Sequence, residues 1–294
     1  MKFEKCDWLV DSFNSLNFKN LAHGIIINGP KGVGKKLLAK KISEKIISNF
    51  QENLRDDFQN LIDKNNHPDL YLLDKDKYLL KDIRRQKKDA TNWDEEKGFN
   101  DVVSFLTLTP SISKNKVVCM VNADSMNNIA QNALLKSLEE PAPFSYIIMT
   151  TSRSKALSQT IYSRCQVVNI PFIGTNKIDA WLMENGITDY TSNDFPSFAT
   201  PFSILDDIQS NKQNCYKEFI SILVNFISLK IDQNQAIKLL NDLDISLILK
   251  MNYFVEFYKI ISLTEKTAFI IYKEKNGKNF FTIYTQDGFV LENF

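Results

Sequence analysis

Short apolar runs alternate with amphipathic segments over the first 170 residues of the chain. The runs are residues 25–27, 70–73, 117–121, 147–151 and 167–170. Each is short enough to be a strand that is buried on both faces. Between the first two runs, apolar residues recur at four-residue spacing (Leu38, Ile42, Ile46 and Phe50), which marks one face of a helix. Strands that alternate with helices predict an α/β fold, a parallel sheet covered on both faces.

The helix before the fourth apolar run has a predicted start and a predicted end. Asn128 followed by Gln131 resembles a capping box, and Pro141 cannot continue a helix. Apolar residues such as Leu134 and Leu138 lie between these two limits. The pattern therefore predicts a helix from about residue 128 that has stopped by residue 141.

The pattern changes after residue 170. Residues 171–174, Pro-Phe-Ile-Gly, break the alternation and indicate a domain boundary. A short helical segment is predicted next, and from about residue 216 apolar stripes at helical spacing begin, the first formed by Phe219, Leu223, Phe226 and Ile227. We therefore expect three domains: an α/β domain over 1–171, a small helical lid over 172–209 and a mainly helical domain over 210–294.

The end of the chain departs from this helical pattern. Residues 268–272 and 280–284 are rich in aromatic and β-branched side chains, and Asn276-Gly277 lies between them. Asn-Gly between two such runs is a signal for a β-hairpin. The segment 268–294 is predicted to be extended or hairpin-like, not helical.

Composition narrows the class of protein. The 36 Lys and Arg residues nearly balance 35 Asp and Glu, so no overall charge draws the chain to nucleic acid. The cysteines are widely scattered, with neither zinc spacing nor a disulfide framework; they are Cys6, Cys119, Cys165 and Cys215. The start of the chain lacks the apolar core of a signal peptide, and no run is long enough to span a membrane. We therefore expect a soluble cytoplasmic protein.

Residues 29–36, Gly-Pro-Lys-Gly-Val-Gly-Lys-Lys, resemble a phosphate-binding loop between a strand and a helix. In such a loop the backbone N–H groups at Gly29, Gly32 and Gly34 wrap phosphate oxygens, and Lys35 supplies charge. The pattern then requires Ser or Thr to hold magnesium, but this chain has Lys36. The candidate nucleotide site is therefore degenerate. The alternative is a glycine turn followed by a basic helix.

The second half of such a site is also altered. Magnesium coordination and water activation need paired acids directly after the apolar strand, the Walker B acids. Here Asn122 and Ala123 take those positions, and Asp124 lies one residue late, where it could equally be a turn or cap residue. Two independent defects predict that the chain does not hydrolyse ATP itself and holds no metal there.

Four segments carry a resemblance to a known family. They are residues 67–69 (His-Pro-Asp), 81–84 (Lys-Asp-Ile-Arg), 132–141 (Asn-Ala-Leu-Leu-Lys-Ser-Leu-Glu-Glu-Pro) and 163–165 (Ser-Arg-Cys). Together they resemble the clamp-loader branch of the AAA+ ATPases and, within it, the delta-prime family. The resemblance is strong over about residues 20–172 and poor beyond 210.

The resemblance implies an architecture and a role. The architecture is an AAA+ domain, a helical lid and a helical collar domain that joins a hetero-oligomeric ring. The implied partners are gamma/tau and delta subunits, the sliding clamp and, through the complex, primed DNA. The chain would need no cofactor of its own, since ATP and magnesium are held by neighbouring subunits. The implied role of Arg164, flanked by Ser163 and Cys165, is to reach into the ATP site of an adjacent gamma/tau subunit.

The chemistry of arginine suits that role, although other interpretations remain. A guanidinium is always charged and offers a planar fork of donors to developing phosphate charge. The plain alternative is a surface Arg164 paired with a local carboxylate. At the level of function, the alternatives are an active gamma/tau-type ATPase, against which Lys36, Asn122 and Ala123 argue, and an unrelated P-loop kinase or NTPase.

The chain departs from the family in three respects. Residues 51–66 contain no cysteine, so the four-cysteine zinc module of many relatives is not expected, and His67 is read as a turn residue. The arginine that would sense nucleotide from the lid is missing. The C-terminal hairpin signal does not fit an all-helical collar.

Overall fold

The computed structural model describes residues 3–49, 56–84, 101–153, 155–264, 268–275, 278–285 and 290–291. The chain divides into two compact units. The first comprises Met1–Lys177 with Thr200–Phe202, and the second comprises Ile178–Ala199 with Ser203–Phe294. The predicted division into 1–171, 172–209 and 210–294 stays a prediction.

The first unit contains a five-stranded parallel sheet. Its strands are β1 (Gly24–Asn28), β2 (Leu70–Asp74), β3 (Lys116–Val121), β4 (Ser145–Thr151) and β5 (Gln166–Asn169). They lie in the order β2-β3-β4-β1-β5, and every neighbouring pair is parallel. The predicted α/β fold class, with a helical region after the sheet domain, is confirmed. β1 lies between β4 and the edge strand β5, so the loop that follows β1 emerges one strand in from the side of the sheet.

Helices cover both faces of the sheet. They are α1 (Asp7–Asn14), α2 (Lys35–Ile47), α3 (Asp56–Asp63), α4 (Leu80–Ile83), α5 (Val102–Thr107), α6 (Asn128–Glu139) and α7 (Gln159–Tyr162). Ile26 and Met149 share one buried cluster with Leu134 of α6. Side chains of alternate strand residues, such as Ile25 and Ile27, point to the other face of the sheet and are also fully buried. The helix α2 contacts β1, β3 and β4. This double burial explains why the strands read as unbroken apolar runs. Phe50, predicted on the same helix face, lies outside the described residues.

The helix α6 starts where the sequence predicts, but its capping residue differs from the prediction by one position. The helix is capped by Asn127, whose Oδ1 accepts the N–H of Ala130 at 2.9 Å. The predicted capping box of Asn128 and Gln131 is therefore wrong. Asn127 has an extended backbone, which a cap requires, whereas Asn128 already lies within the helix. Gln131 instead accepts the N–H of Ser158.

The second unit is mainly helical. Its described elements, with α8 and α9 beginning in residues of the first unit, are α8 (Thr175–Glu184), α9 (Pro201–Gln209), α10 (Cys215–Ile227), α11 (Gln233–Asp242), α12 (Leu247–Thr264), β6 (Ala268–Lys275), β7 (Lys278–Thr285) and β8 (Val290–Leu291). Its core includes Phe219, Leu223, Leu240 and Phe257. Ile227, predicted on the same stripe as Phe219, is 45% exposed instead. Among the described residues, no helix combines the length and apolar character needed to cross a membrane.

The C-terminal strands pair as the sequence pattern predicts. β6 and β7 are antiparallel, with Phe269 opposite Tyr284 and Lys275 opposite Lys278. β8 adds a third antiparallel strand beside β7. The prediction of an extended, hairpin-like segment is confirmed for these strands, while Asn276 and Gly277 lie outside the described residues.

Candidate functional site

A glycine-rich loop connects the carboxyl end of β1 to α2. Gly32 and Gly34 have φ values of 79° and 93°, a left-handed conformation that favours glycine. A cavity of about 500 Å³ lies beside the loop. Its lining includes Lys31, Gly32, Gly34, Lys35, Lys36, Lys40, Asn122, Thr150, Ser152 and Phe202. The structure thus brings most of the predicted nucleotide-site residues together around one cavity.

Lys35 is turned toward its own loop. Its ammonium donates to the carbonyl oxygens of Gly29 at 2.8 Å and Pro30 at 2.6 Å, and to Ser152 Oγ at 2.8 Å. These three bonds use all three donors of the ammonium. Burial lowers the pKa of Lys35 to about 8, and the carboxylate of Asp124 offsets only part of that shift. A phosphate could engage Lys35 only by replacing bonds that the loop already makes.

Lys36 occupies the position of the magnesium-holding hydroxyl and forms an ion pair. Its Nζ lies 2.7 Å from Oδ2 of Asp74, the last residue of β2. Asp74 lies opposite Val121, at the same edge of the sheet as Asn122. Position 36 therefore presents an ammonium, which cannot coordinate a metal ion.

The end of β3 supplies no pair of adjacent acids. Ala123 is buried and has no donor atom, and the N–H of Asn122 donates to Thr150 Oγ1 at 3.0 Å. Asp124 belongs to a short 3₁₀ helix, and its Oδ2 lies 3.1 Å from Nε of Arg153. Within the described ranges, no group of three or more His, Cys, Asp or Glu residues could hold a metal ion. The residues at this site do not fit the magnesium ion that a phosphate-loop ATPase requires.

Residues 200–202 lie against the same loop. Thr200 Oγ1 donates to the carbonyl of Lys31 at 2.8 Å, and the N–H of Phe202 donates to the carbonyl of Gly32 at 2.9 Å. A Cβ atom placed on Gly34 would lie 2.8 Å from Cε2 of Phe202. The sequence reasoning missed these contacts, and also Asp74, Ser152 and Arg153. Only Asp74 carries a signal that could have been used, because an acid there directly follows an apolar strand.

Arg164 lies just before β5 and is held by its own chain. Its Nη2 lies 2.7 Å from Oε1 of Glu139, the last residue of α6. Its Nη1 donates to the carbonyl of Thr160 at 2.9 Å and to Ser163 Oγ at 3.2 Å. The side chain of Arg164 is 33% exposed. The local carboxylate partner that the plain alternative requires is therefore present, and the role of Arg164 at a neighbouring subunit stays a prediction.

The residues on either side of Arg164 have structural roles. Ser163 Oγ donates to the carbonyl of Thr160 at 3.0 Å. Cys165 packs against β1, where its Sγ would lie 2.7 Å from a Cβ placed on Gly24. Burial raises the pKa of the Cys165 thiol to about 12, which keeps it protonated and unreactive. The two neighbours hold the segment so that Arg164 remains at the surface.

Arg164 and the glycine-rich loop lie at opposite ends of the sheet. The carbonyl of Arg164 would be 3.5 Å from a Cβ on Gly24, which is the first residue of β1. The loop starts at Gly29, after the five residues of that strand. A strand rises about 3.3 Å per residue, so the two features are about 16 Å apart. That distance is well beyond the reach of one arginine side chain, so Arg164 does not serve its own loop.

The His-Pro-Asp segment has a structural role. His67 is buried, and its Nδ1 accepts the N–H of Asp69 at 3.1 Å. The carboxylate of Asp69 accepts the N–H groups of Ser111, Ile112 and Ser113. Burial alone would raise the pKa of Asp69, but these hydrogen bonds bring it below its usual value. The segment fixes the loop before β3.

Comparison with known proteins gives a consistent set of matches. A family model described as DNA polymerase III, delta subunit, matches residues 9–173. The DNA polymerase III subunit delta' of Pseudomonas aeruginosa is 29% identical over 165 residues, which cover 55% of this chain and 47% of that protein. The subunit delta' of Bacillus subtilis is 27% identical over 183 residues, covering 60% and 51%.

Two further matches are to proteins described as gamma or gamma/tau subunits or related to them. The gamma/tau subunit of Mycoplasma genitalium is 30% identical over 159 residues, covering 52% of this chain and 24% of that protein. A solved structure of a gamma subunit-related protein from Thermotoga maritima is 14% identical with a TM-score of 0.46, covering 89% of this chain and 85% of its own. The chain spans about half the length of the curated relatives that it matches.

Proposed function

The chain belongs to the family described as DNA polymerase III, delta subunit, and we propose that it is a non-catalytic subunit of the DNA replication clamp loader. In this role it supplies Arg164 in trans to the ATP site of a neighbouring subunit while the sliding clamp is loaded onto primed DNA. The neighbours in the ring would be gamma/tau and delta subunits. ATP and magnesium would be bound at those neighbours, and this chain would hold neither.

One observation carries the proposal: the chain has a surface arginine and a defective nucleotide site at opposite ends of one sheet. Lys36 and Ala123 remove the groups that would hold magnesium, and Lys35 is bonded to its own loop. Arg164 lies about 16 Å from that loop. An arginine that cannot act on its own site, in a chain that lacks a working site, is suited to act on another subunit.

The proposed step is stabilisation of charge. As the terminal phosphate of the neighbour's ATP is transferred to water, negative charge develops on its oxygens. A guanidinium placed there donates two parallel hydrogen bonds and carries a permanent positive charge. Arg164 takes no proton and forms no covalent bond, so its contribution is position and charge alone.

The other two functions that the sequence allows have less support. An active gamma/tau-type ATPase needs a hydroxyl at position 36 and acids after β3, and this chain has Lys36, Asn122 and Ala123 there. A P-loop kinase would need the same magnesium ligands and a carboxylate beside its acceptor substrate. Asp124, the carboxylate whose charge acts on Lys35, is already paired with Arg153.

The test is Arg164→Ala in a loader reconstituted with its partner subunits. We expect assembly to be unchanged and clamp loading on primed DNA to fall sharply. A trans arginine contributes roughly 10³–10⁵ in rate at one site. Bulk ATP hydrolysis falls less, since only one of several sites loses its arginine.

Two further results define the outcome. Arg164→Lys should not restore loading, because lysine offers a point charge in place of the planar fork. Size-exclusion chromatography of each variant complex checks assembly. An assembled Arg164→Ala complex that loads clamps at the wild-type rate would refute the proposal.

A further inference from the structure

Glu139 is the group that binds Arg164 within this chain, and nothing in the proposed function uses it. We propose that Glu139 is a holding residue: it competes with phosphate for the guanidinium of Arg164 and delays delivery of the arginine to the neighbouring ATP site. This inference rests on the proposed function, in which Arg164 acts in trans.

Three acceptors of this chain contact the guanidinium of Arg164. Nη1 already donates to Thr160 and Ser163, and Nη2 faces Oε1 of Glu139 at 2.7 Å. Bidentate recognition of a phosphate needs two parallel N–H donors pointing the same way. Nη1 uses both of its N–H groups on Thr160 and Ser163, so the fork left for a phosphate is the one that Nε forms with Nη2, and Glu139 competes for Nη2. The contact with Glu139 is the only one of the three with a charged acceptor.

Charge makes Glu139 a competitor. A carboxylate beside the guanidinium offsets its positive charge and repels an approaching phosphate. Binding of phosphate by Arg164 therefore favours separation of the Arg164–Glu139 pair. The neutral acceptors, Thr160 and Ser163, impose no such repulsion and can remain bonded to Nη1 when Nη2 leaves Glu139.

The place of Glu139 in the fold supports a contact that breaks easily. Glu139 is the last residue of α6, where the negative end of the helix dipole disfavours a carboxylate. The side chains of Arg164 and Glu139 are 33% and 46% exposed, so water screens the pair. Ion pairs of this kind are weak. A weak pair can hold the arginine in the free subunit and still yield to a phosphate in the ring.

The next residue offers a matched control. Glu140 is also a glutamate at the end of α6 and is exposed. Its side chain makes no hydrogen bond or ion pair with another described residue. Glu139→Gln and Glu140→Gln therefore remove the same charge from adjacent positions, and only the first removes the carboxylate from Arg164.

The experiment measures ATP hydrolysis by the reconstituted loader, without DNA and with primed DNA and clamp. At the site that Arg164 serves, we expect Glu139→Gln to raise the DNA-independent rate by about two- to fivefold, the range that a partly exposed ion pair allows, with a smaller rise in the rate of the whole loader. Glu140→Gln should match the wild type. The double variant Glu139→Gln/Arg164→Ala should match Arg164→Ala, because without the arginine there is nothing to hold.

Two results would overturn the holding role. If Glu139→Gln lowers DNA-stimulated hydrolysis toward the level of Arg164→Ala, the carboxylate positions the arginine and does not restrain it. If Glu139→Gln matches Glu140→Gln, the pair has no influence. In both cases Arg164→Ala is still defective, so the proposed function survives. An Arg164→Ala loader that behaves as wild type would instead overturn both proposals.

Discussion

At the scale of single residues, two adjacent lysines at the start of α2 differ in their burial and in their hydrogen-bond partners. Lys35 is 7% exposed and donates to oxygens of its own loop and of Ser152. The side chain of Lys36 is 58% exposed and forms an ion pair with Asp74. The first is a buried cation without a bonded carboxylate, and the second is a solvated cation with one. Their burial, which the sequence does not reveal, sets the cost of each charge.

The buried ammonium of Lys35 should make stability depend on pH in the alkaline range. Burial lowers its pKa from 10.5 to about 8. Between these values the unfolded chain binds more protons than the folded chain, so the stability of the wild type rises with pH. In Lys35→Met this contribution is absent. The quantity to follow is the free energy of unfolding of Lys35→Met minus that of the wild type. We expect this difference to fall by about 1–3 kcal/mol from pH 8 to pH 10.

Urea unfolding at several pH values measures this difference, with Lys36→Met as the control for removing a lysine at an exposed position. The direction of the change identifies burial as the cause. A lysine whose charge is stabilised by its partners would make the wild type less stable as pH rises, so the difference would increase. A difference that stays constant from pH 8 to pH 10, or that also falls in Lys36→Met, would contradict the assignment of the effect to burial of Lys35.

At the scale of elements, α6 connects the sequence pattern to the position of Arg164. The helix begins after Asn127 and ends at Glu139, and its apolar face packs into the main core through Leu134 and Leu138. The core contacts fix the position of the helix axis, and the N-cap fixes the residue at which the helix starts. Together they determine where the last residue of α6, Glu139, lies relative to Arg164.

The N-cap of α6 can be tested by two adjacent substitutions. Asn127→Ala removes the oxygen that accepts the N–H of Ala130, and we expect a loss of about 1 kcal/mol in the free energy of unfolding. Asn128→Ala, one residue further, replaces an exposed position within the helix. Because alanine favours helix, we expect no loss there, or a slight gain. Thermal or urea unfolding of the two variants distinguishes the positions, and a larger loss for Asn128→Ala would restore the cap predicted from sequence.

At the scale of the whole molecule, the parallel sheet separates two chemical features by its own length. Carboxyl ends of parallel strands meet at one edge, so the loop, Asp74 and residues 122–124 converge there. Arg164 precedes β5 and therefore lies at the opposite edge. The second unit has its own core and ends in paired strands. Within the first unit, the loop and Arg164 therefore lie at opposite ends of the parallel strands.

The isolated chain should show no magnesium-dependent ATP hydrolysis above background. The reason is the combined loss of the hydroxyl at position 36 and of the acids after β3. A coupled-enzyme assay on the purified chain measures the rate, with Lys35→Ala as the comparison. Turnover that requires magnesium and disappears in Lys35→Ala would contradict this expectation, whereas binding of nucleotide without turnover agrees with it.

The sequence alone determined the fold class of the sheet domain and the departures of residues 36 and 122–123 from the phosphate-loop pattern. Five buried strands appear as apolar runs because burial on both faces removes polar residues from a strand. The candidate nucleotide site was equally predictable at four positions. Backbone freedom is a property of glycine itself, at Gly32 and Gly34. The absence of a metal-ligand atom is a property of the residue type at Lys36 and Ala123. The paired C-terminal strands, β6 and β7, were likewise predicted from local pattern.

Only the tertiary structure decided which side chains meet. Lys35 bonds to Ser152, 117 residues away, and Arg164 pairs with Glu139 across the gap between α6 and β5. The position of Thr200–Phe202 beside the loop is another contact between distant parts of the chain. Such contacts depend on how the helices and strands pack against one another, which the local pattern of apolar and polar residues does not predict. The cap of α6 shows the same limit over one residue, because Asn127 and Asn128 are chemically identical and only the backbone conformation distinguishes them.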